Sequence, residues 1–225
     1  MSGSHISTYK NYVDAFLIEH NLDYIGLEDD YIERAGSVGI YPDVSYLLYK
    51  IASNSLIGKL VEVGAGLSTC IISLAVGATG KNFTTIESAV DWALLVQEIL
   101  EKKKIAVPNI ICTYEMKSPP VLQDKIDFMF VDGYIMANDY WVIDRIDSCV
   151  YYSDILSDAV VAFDDAQSFP NEIDKCIRSL PNHQDRTGIW YNPQQRDDRQ
   201  IYLSIPKSKI EILDVINSCS TVKDL

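Results

Sequence analysis

The sequence predicts a three-layer α/β fold: a mostly parallel sheet with helices on both faces, an antiparallel last strand, and helices forming a cap at the N-terminal side. Three observations predict it. From Lys59 onward, short apolar runs alternate with stretches of helical spacing, and strands joined by helices of that length pair in parallel with both faces covered. A Gly64-Ala65-Gly66 turn joins the first run to the first of these helices. Two late runs, 188–191 and 201–205, are separated by the polar stretch 192–199, so a hairpin there reverses the final strand.

In chain order, Tyr9, Tyr12, Val13, Phe16 and Leu17 stand at helical spacing within 7–20, ahead of an acidic, irregular stretch at 21–39. Pro42 suits the first turn of a helix with Val44, Leu47, Leu48 and Ile51 on one face. Residues 1–41 therefore read as a helical cap segment and 42–225 as the main domain of one compact unit. Residues 59–63 form a short buried strand, and 67–76 a helix that Gly77 is able to close. The run 83–87 is the second strand. Ser88 with Asp91 predicts a capping box before a helix stripe of Trp92, Leu95, Val96, Ile99 and Leu100. Residues 109–114, 126–132 and 159–164 supply three more strands, with helices expected over 138–149 and 171–180.

Composition narrows the function classes. A chain of 225 residues holds one α/β domain comfortably and two with difficulty. The net charge is −13, and no basic stripe of the kind that grips a phosphate backbone is visible. The densest basic run, Lys102-Lys103-Lys104, fits a helix C-terminus, so neither nucleic acid nor an anionic membrane is an expected partner. Five cysteines without a C-x-x-C pair read as buried thiols of a cytoplasmic protein. No signal peptide or spanning helix is read, and Met1-Ser2-Gly3-Ser4-His5 resembles a tag remnant, so His5 is given no role.

The chemistry starts at the glycine turn. In open α/β sheets, ligands bind beyond the C-terminal ends of the strands, near the point where strand order reverses. The first strand runs into Glu62-Val63-Gly64-Ala65-Gly66-Leu67-Ser68-Thr69. Two glycines allow a tight turn and close backbone approach, and Ser68 and Thr69 enter the next helix near its positive end. Glu87 ends the second strand about 20 residues on, where a carboxylate accepts hydrogen bonds from ribose hydroxyls. A dinucleotide fingerprint asks for a third glycine where Thr69 stands. Glu62, just before the turn, suits a cationic cofactor, because a sulfonium favours nearby carboxylates.

With these residues in view, the segment 60–75 resembles motif I of class I S-adenosylmethionine (SAM)-dependent methyltransferases, in the form met in small-molecule, catechol-type O-methyltransferase-like members. The resemblance runs on through 83–87, 127–133 and 160–165 and covers roughly 39–206. It implies a Rossmann-like sheet of seven strands, SAM as methyl donor, Glu87 on the ribose, and Gly64 and Gly66 near the methionine moiety. The residue following the third strand lies beside adenine in that family, and Glu115 is the candidate here, against an ordinary surface role.

Asp132 ends the fourth strand and Asp164 and Asp165 the fifth, so three carboxylates are expected to converge. Unpaired, they raise one another's pKa; Mg²⁺ or a similar divalent cation would relieve the repulsion. Catechol-type enzymes resemble this arrangement and place metal ligands at these two strand ends. The match is incomplete: Gly133, Tyr134, Ile135 and Met136 stand where that type carries a lysine base, and Asp165 stands where it often has asparagine. The alternative leaves Asp132 on the cofactor or a backbone amide and Asp164 as a cap. A metal-free route needs another base. His183, His20 and Tyr134 are candidates, weighed against solvated histidines and a phenol that only positions. Trp141, Trp190 and Tyr191 are read as pocket walls or core.

The expected function is methyl transfer from SAM to an oxygen, less readily a nitrogen, of a small-molecule acceptor, with a homodimer left open. Two alternatives stand beside it: a non-catalytic module of the same fold binding SAM or a nucleoside, and an NAD-dependent oxidoreductase.

Overall fold

The computed structural model describes residues 40, 42–77, 79–192 and 200–220. The predicted cap helix at 7–20, with His20, and most of the loop at 192–199 lie outside them. The first described helix is α1 (Pro42–Ser53), and its face of Val44, Leu47, Leu48 and Ile51 is fully buried. Then follow β1 (Lys59–Val63), α2 (Leu67–Gly77), β2 (Asn82–Glu87), α3 (Val90–Lys102) and β3 (Asn109–Cys112). After β4 (Phe128–Val131) come two short strands, β5 (Ile135–Ala137) and β6 (Trp141–Ile143), then α4 (Asp147–Tyr151). The described chain ends with β7 (Val160–Phe163), α5 (Pro170–Ser179), β8 (Arg186–Tyr191), β9 (Ile201–Pro206) and α6 (Ile212–Ser220).

Seven strands form one sheet in the order β3-β2-β1-β4-β7-β9-β8. The five strands from β3 to β7 pair in parallel, and β9 slots between β7 and β8 antiparallel to both. The central strands β4 and β7 are buried along their whole length, as expected where helices cover both faces. Their alternating side chains feed two apolar layers. Leu60, Phe128, Phe130, Val160 and Ala162 pack with α1 and α2, and Val61, Val63, Met129, Val131, Val161 and Phe163 with α4 and α5. The order reverses between β1 and β4, which places the ligand crevice beyond their C-terminal ends.

Two sequence expectations need correction, and one element was not foreseen. The stretch 138–149 is not one helix: Asn138 turns the chain at φ 45°, the β5–β6 hairpin forms, and only 147–151 is helical. Ser88 does not cap α3. The N-cap is Ala89, with no side-chain cap bond, because the Ser88 hydroxyl is engaged by the hairpin. Helix α6 was not anticipated; its Ile212, Ile216 and Cys219 complete the layer beside α1. All five cysteines are free thiols, with Cys70, Cys149, Cys176 and Cys219 buried. Among the described residues, no helix is long and apolar enough to cross a membrane.

Candidate cofactor and acceptor site

The glycine turn is held open by its own strand ends. Gly64 adopts φ +93°, and a Cβ there would lie 2.8 Å from the Gly133 nitrogen. Only glycine fits, since both the left-handed backbone and the contact exclude a side chain. The backbone after β4 thus lies directly against the backbone after β1. The Ala65 N–H donates to Glu87 Oε2 at 2.7 Å, and the Gly66 N–H to Thr69 Oγ1 at 2.9 Å. The Thr69 hydroxyl in turn donates to Glu62 Oε2 at 2.6 Å. Glu62 is completely buried, and burial pushes its carboxyl up to about 7, with the Ser68, Thr69 and Thr85 hydroxyls offsetting only part of that rise. Its second oxygen, Oε1, has no hydrogen-bond partner among the described residues. Glu62, Ser68 and Thr69, all expected at the cofactor, are therefore buried beneath the turn and shape it from below.

Glu87 occupies the strand end that the sequence assigned it. Its Oε1 accepts the Ala89 N–H at 2.7 Å, so each carboxylate oxygen already holds one backbone amide. A carboxylate oxygen has two lone-pair sites, which leaves one on each for a further donor. Burial raises the Glu87 carboxyl, and the backbone N–H groups of Ala89 and Ala65 oppose the rise. Beside it the Ser88 hydroxyl donates to the Tyr134 carbonyl and accepts the Met136 N–H, both at 2.9 Å. The Thr113 hydroxyl donates to the Met136 carbonyl at 2.6 Å. These bonds stitch the first strand of the hairpin onto the ends of β2 and β3. Glu115 sits just past β3 and is exposed.

The second cluster forms where β4 and β7 end. One oxygen from each of Asp132, Asp164 and Asp165 lies within 4.8 Å of the others. Burial raises the Asp132 carboxyl well above the carboxylate range, the Asp164 charge adds to this, and Arg145 opposes it. Arg145, which the sequence did not single out, reaches back from the segment after β6. Its Nη2 donates to the Asp132 carbonyl at 2.8 Å and lies 3.5 Å from Asp132 Oδ1. Its Nη1 donates to the Asp164 carbonyl at 3.3 Å and contacts Asp165 Oδ2 at 3.5 Å. Nothing in the local sequence marks Arg145, because its partners are 13 to 20 residues away.

Two predicted catalytic residues are separated by the fold. Tyr134 lies just before the hairpin, beside Gly133, and is 54% exposed. His183 lies exposed ahead of β8, at the opposite end of the sheet. The first residue of β8, Arg186, bonds the carbonyls of Ser157 and Ala159 where β7 begins. His183 is therefore removed from the acidic cluster by the length of the strands. Trp190 crosses Tyr202 edge-to-face at 5.1 Å, Tyr191 is core, and Trp141 packs on the α4–α5 layer.

The same architecture occurs in solved O-methyltransferases. The structure resembles TomG of Streptomyces achromogenes, an O-methyltransferase involved in tomaymycin synthesis and solved with SAM, at TM-score 0.54 and 17% identity over 80% of this chain and 89% of that one. It resembles an O-methyltransferase from Bacillus cereus in complex with SAH at TM-score 0.53 and 14% identity, covering 80% and 90% of the two chains. A SAM-dependent O-methyltransferase from Thermotoga maritima matches at TM-score 0.52 and 15% identity, over 80% of this chain and 71% of that one. The chain has the fold of these O-methyltransferases. No family model matches the sequence, and no curated protein does. The likeness at these identities is one of architecture, and the activity rests on the site.

Proposed function

We propose that the chain is a SAM-dependent methyltransferase acting on an oxygen of a small-molecule acceptor. The observation that carries this reading is the junction of Glu87 with the glycine turn: a carboxylate that accepts the Ala65 N–H meets the turn near the switch point of the sheet. Glu87 would accept hydrogen bonds from the ribose hydroxyls with its remaining lone pairs, and the turn 64–66 would take the methionine moiety. Asp132 sits between turn and acceptor side. The bound cofactor supplies an electrophilic methyl group, so the chain has to align the acceptor, exclude water and remove a proton. Asp132, whose carboxyl burial and the neighbouring Asp164 charge raise, is the group suited to accept the acceptor's hydroxyl proton. Asp164 and Asp165 would hold the acceptor by hydrogen bonds.

A divalent cation does not fit the cluster as it stands, because Arg145 already engages Asp132 and Asp165. The non-catalytic reading draws support from one feature: the hairpin lies across the ends of β2 and β3, over the side that would receive adenine.

Calorimetric titration with SAM and SAH, with NAD as control, tests the cofactor. Binding of the first two and not the third is expected, weakened about 10- to 100-fold in Glu87→Gln, in line with loss of a charged hydrogen-bond acceptor. Folded protein that binds neither SAM nor SAH would end this reading. Binding without methyl transfer to any oxygen acceptor would favour the non-catalytic one.

A further inference from the structure

We infer that Arg145 is the built-in cation of the acidic cluster and occupies the place a divalent ion would otherwise take. A guanidinium has four terminal N–H groups in a fixed fork. Here Nη1 donates to two oxygens and Nη2 to one, with Asp132 Oδ1 a further 3.5 Å contact of Nη2, so the fork faces the ends of β4 and β7. Two of those oxygens belong to the carboxylates of Asp132 and Asp165, the same groups that would ligate a metal. A hard cation binds carboxylate oxygen at roughly 2.0–2.6 Å. Bound to these two carboxylates, it would stand within a few ångströms of the guanidinium, where like charges repel strongly in a half-buried site.

The surrounding backbone is shaped around the arginine. The Arg145 carbonyl accepts the Ser148 hydroxyl at 2.7 Å, which fixes the turn that delivers the side chain. Asp165 adopts φ 51° and ψ 32°, a left-handed conformation uncommon for a residue with a side chain, and its carboxylate meets Nη1. A mobile surface arginine pairing by chance would not need either feature. Arg145 thus acts as a positioning residue: it draws two strand ends together and leaves the carboxylates free of metal for hydrogen bonding to an acceptor. The inference rests on the proposed function only for that last role.

The test is titration with Mn²⁺ alone, read by the electron paramagnetic resonance signal of free ion, with SAH titrated into the same samples. The wild type is expected to show no Mn²⁺ site tighter than ~1 mM, weaker than ordinary acidic cation sites. Arg145→Ala is expected to bind Mn²⁺ at least about tenfold more tightly, and Arg145→Ala/Asp164→Asn to lose that gain. One micromolar Mn²⁺ site in the wild type, abolished by Asp164→Asn, would overturn the inference. So would a folded Arg145→Ala that gains none. Should Arg145→Ala fail to fold, Arg145→Lys keeps one charge with fewer donors, and the wild-type titration still decides. The SAH titration reads the cofactor proposal separately, so either idea can fail alone.

Discussion

The two ends of the parallel strands carry ion clusters made of the same residue types in opposite electrostatic states. At the lower end, Asp127 accepts the N–H groups of Gly58 and Lys59 on one oxygen and Lys209 Nζ at 2.9 Å on the other. Lys209 is almost wholly buried and also bonds the Asp158 carbonyl at 2.6 Å. Burial alone would raise the Asp127 carboxyl, but Lys209 and the two amides outweigh it and hold it below the usual range. At the upper end, three carboxylates cluster and one guanidinium contacts two of them, and Asp132 and Glu62 are both pushed up. Charge at the lower end is matched and fixes the C-terminal segment to the sheet. Charge at the upper end is in excess, a cost that stability alone does not explain and that a ligand site does.

The largest effect is expected from breaking the matched end. Lys209→Met removes the cation and leaves Asp127 without its strongest partner. A loss of roughly 3–5 kcal/mol is expected, as for removing the two charge-assisted hydrogen bonds of the Lys209 ammonium, measured by urea unfolding at neutral pH. Because Asp127 is depressed in the fold, its contribution is present above the ordinary carboxylate range and is lost as pH falls through the depressed value. Acid sensitivity below about pH 4 should accordingly shrink in Lys209→Met.

Glu62 should show the reverse slope. Its carboxyl is ordinary near 4.5 when unfolded and about 7 in the fold. Between those values the folded chain keeps a proton that the unfolded chain has released, so stability falls as pH rises through the window. The loss amounts to about 3 kcal/mol once pH passes 7. Glu62→Gln keeps an acceptor for the Thr69 hydroxyl and has no proton to lose. Urea midpoints taken from pH 5 to pH 8 should decline in the wild type and decline less steeply in the variant, where the raised Asp132 and Glu87 carboxyls remain. A wild-type curve already flat over that window would mean that the carboxyl under the glycine turn is solvated.

What the sequence made legible follows the same division. Motif and periodicity located β1, α2 and β2 closely, because their cores are local: the apolar strand, the two glycines and the helix stripe are contiguous. The strand-end acids were legible for the same reason, since each closes a run of buried residues. The β5–β6 hairpin was not. Trp141 and Ile143 face inward and Val142 is 60% exposed, but three residues are too few for alternation to be told from a helical stripe. Arg145 and Ser88 were missed because their roles come from pairing across strand ends. Ser88 before Asp91 satisfies the pattern of a cap, yet the hairpin competes for its hydroxyl and wins two bonds where capping would give one. Helix α6 was missed, although Ile212, Ile216 and Cys219 stand at helical spacing.

The smallest effect sharpens the upper end. Ser88→Ala removes the donor to Tyr134 and the acceptor for Met136, while the Thr113 bond to Met136 remains. Two hydrogen bonds at the edge of the site are worth about 1–2 kcal/mol together. Since the hairpin is a short appendage to the main sheet, the loss should appear as local opening, with global unfolding nearly unchanged. Faster amide exchange at Met136 is the expected readout. The sign of the effect on SAH then discriminates between two roles for the hairpin. If it covers the adenine side and must move aside, loosening it lowers the cost of opening and SAH binds about 5- to 10-fold more tightly. If it forms a wall that the adenine packs against, the same substitution weakens SAH, because the ligand must then order what the serine had ordered in advance. Tighter binding would make the upper end a site closed by its own backbone, in contrast to the lower end, where Lys209 and two amides hold Asp127.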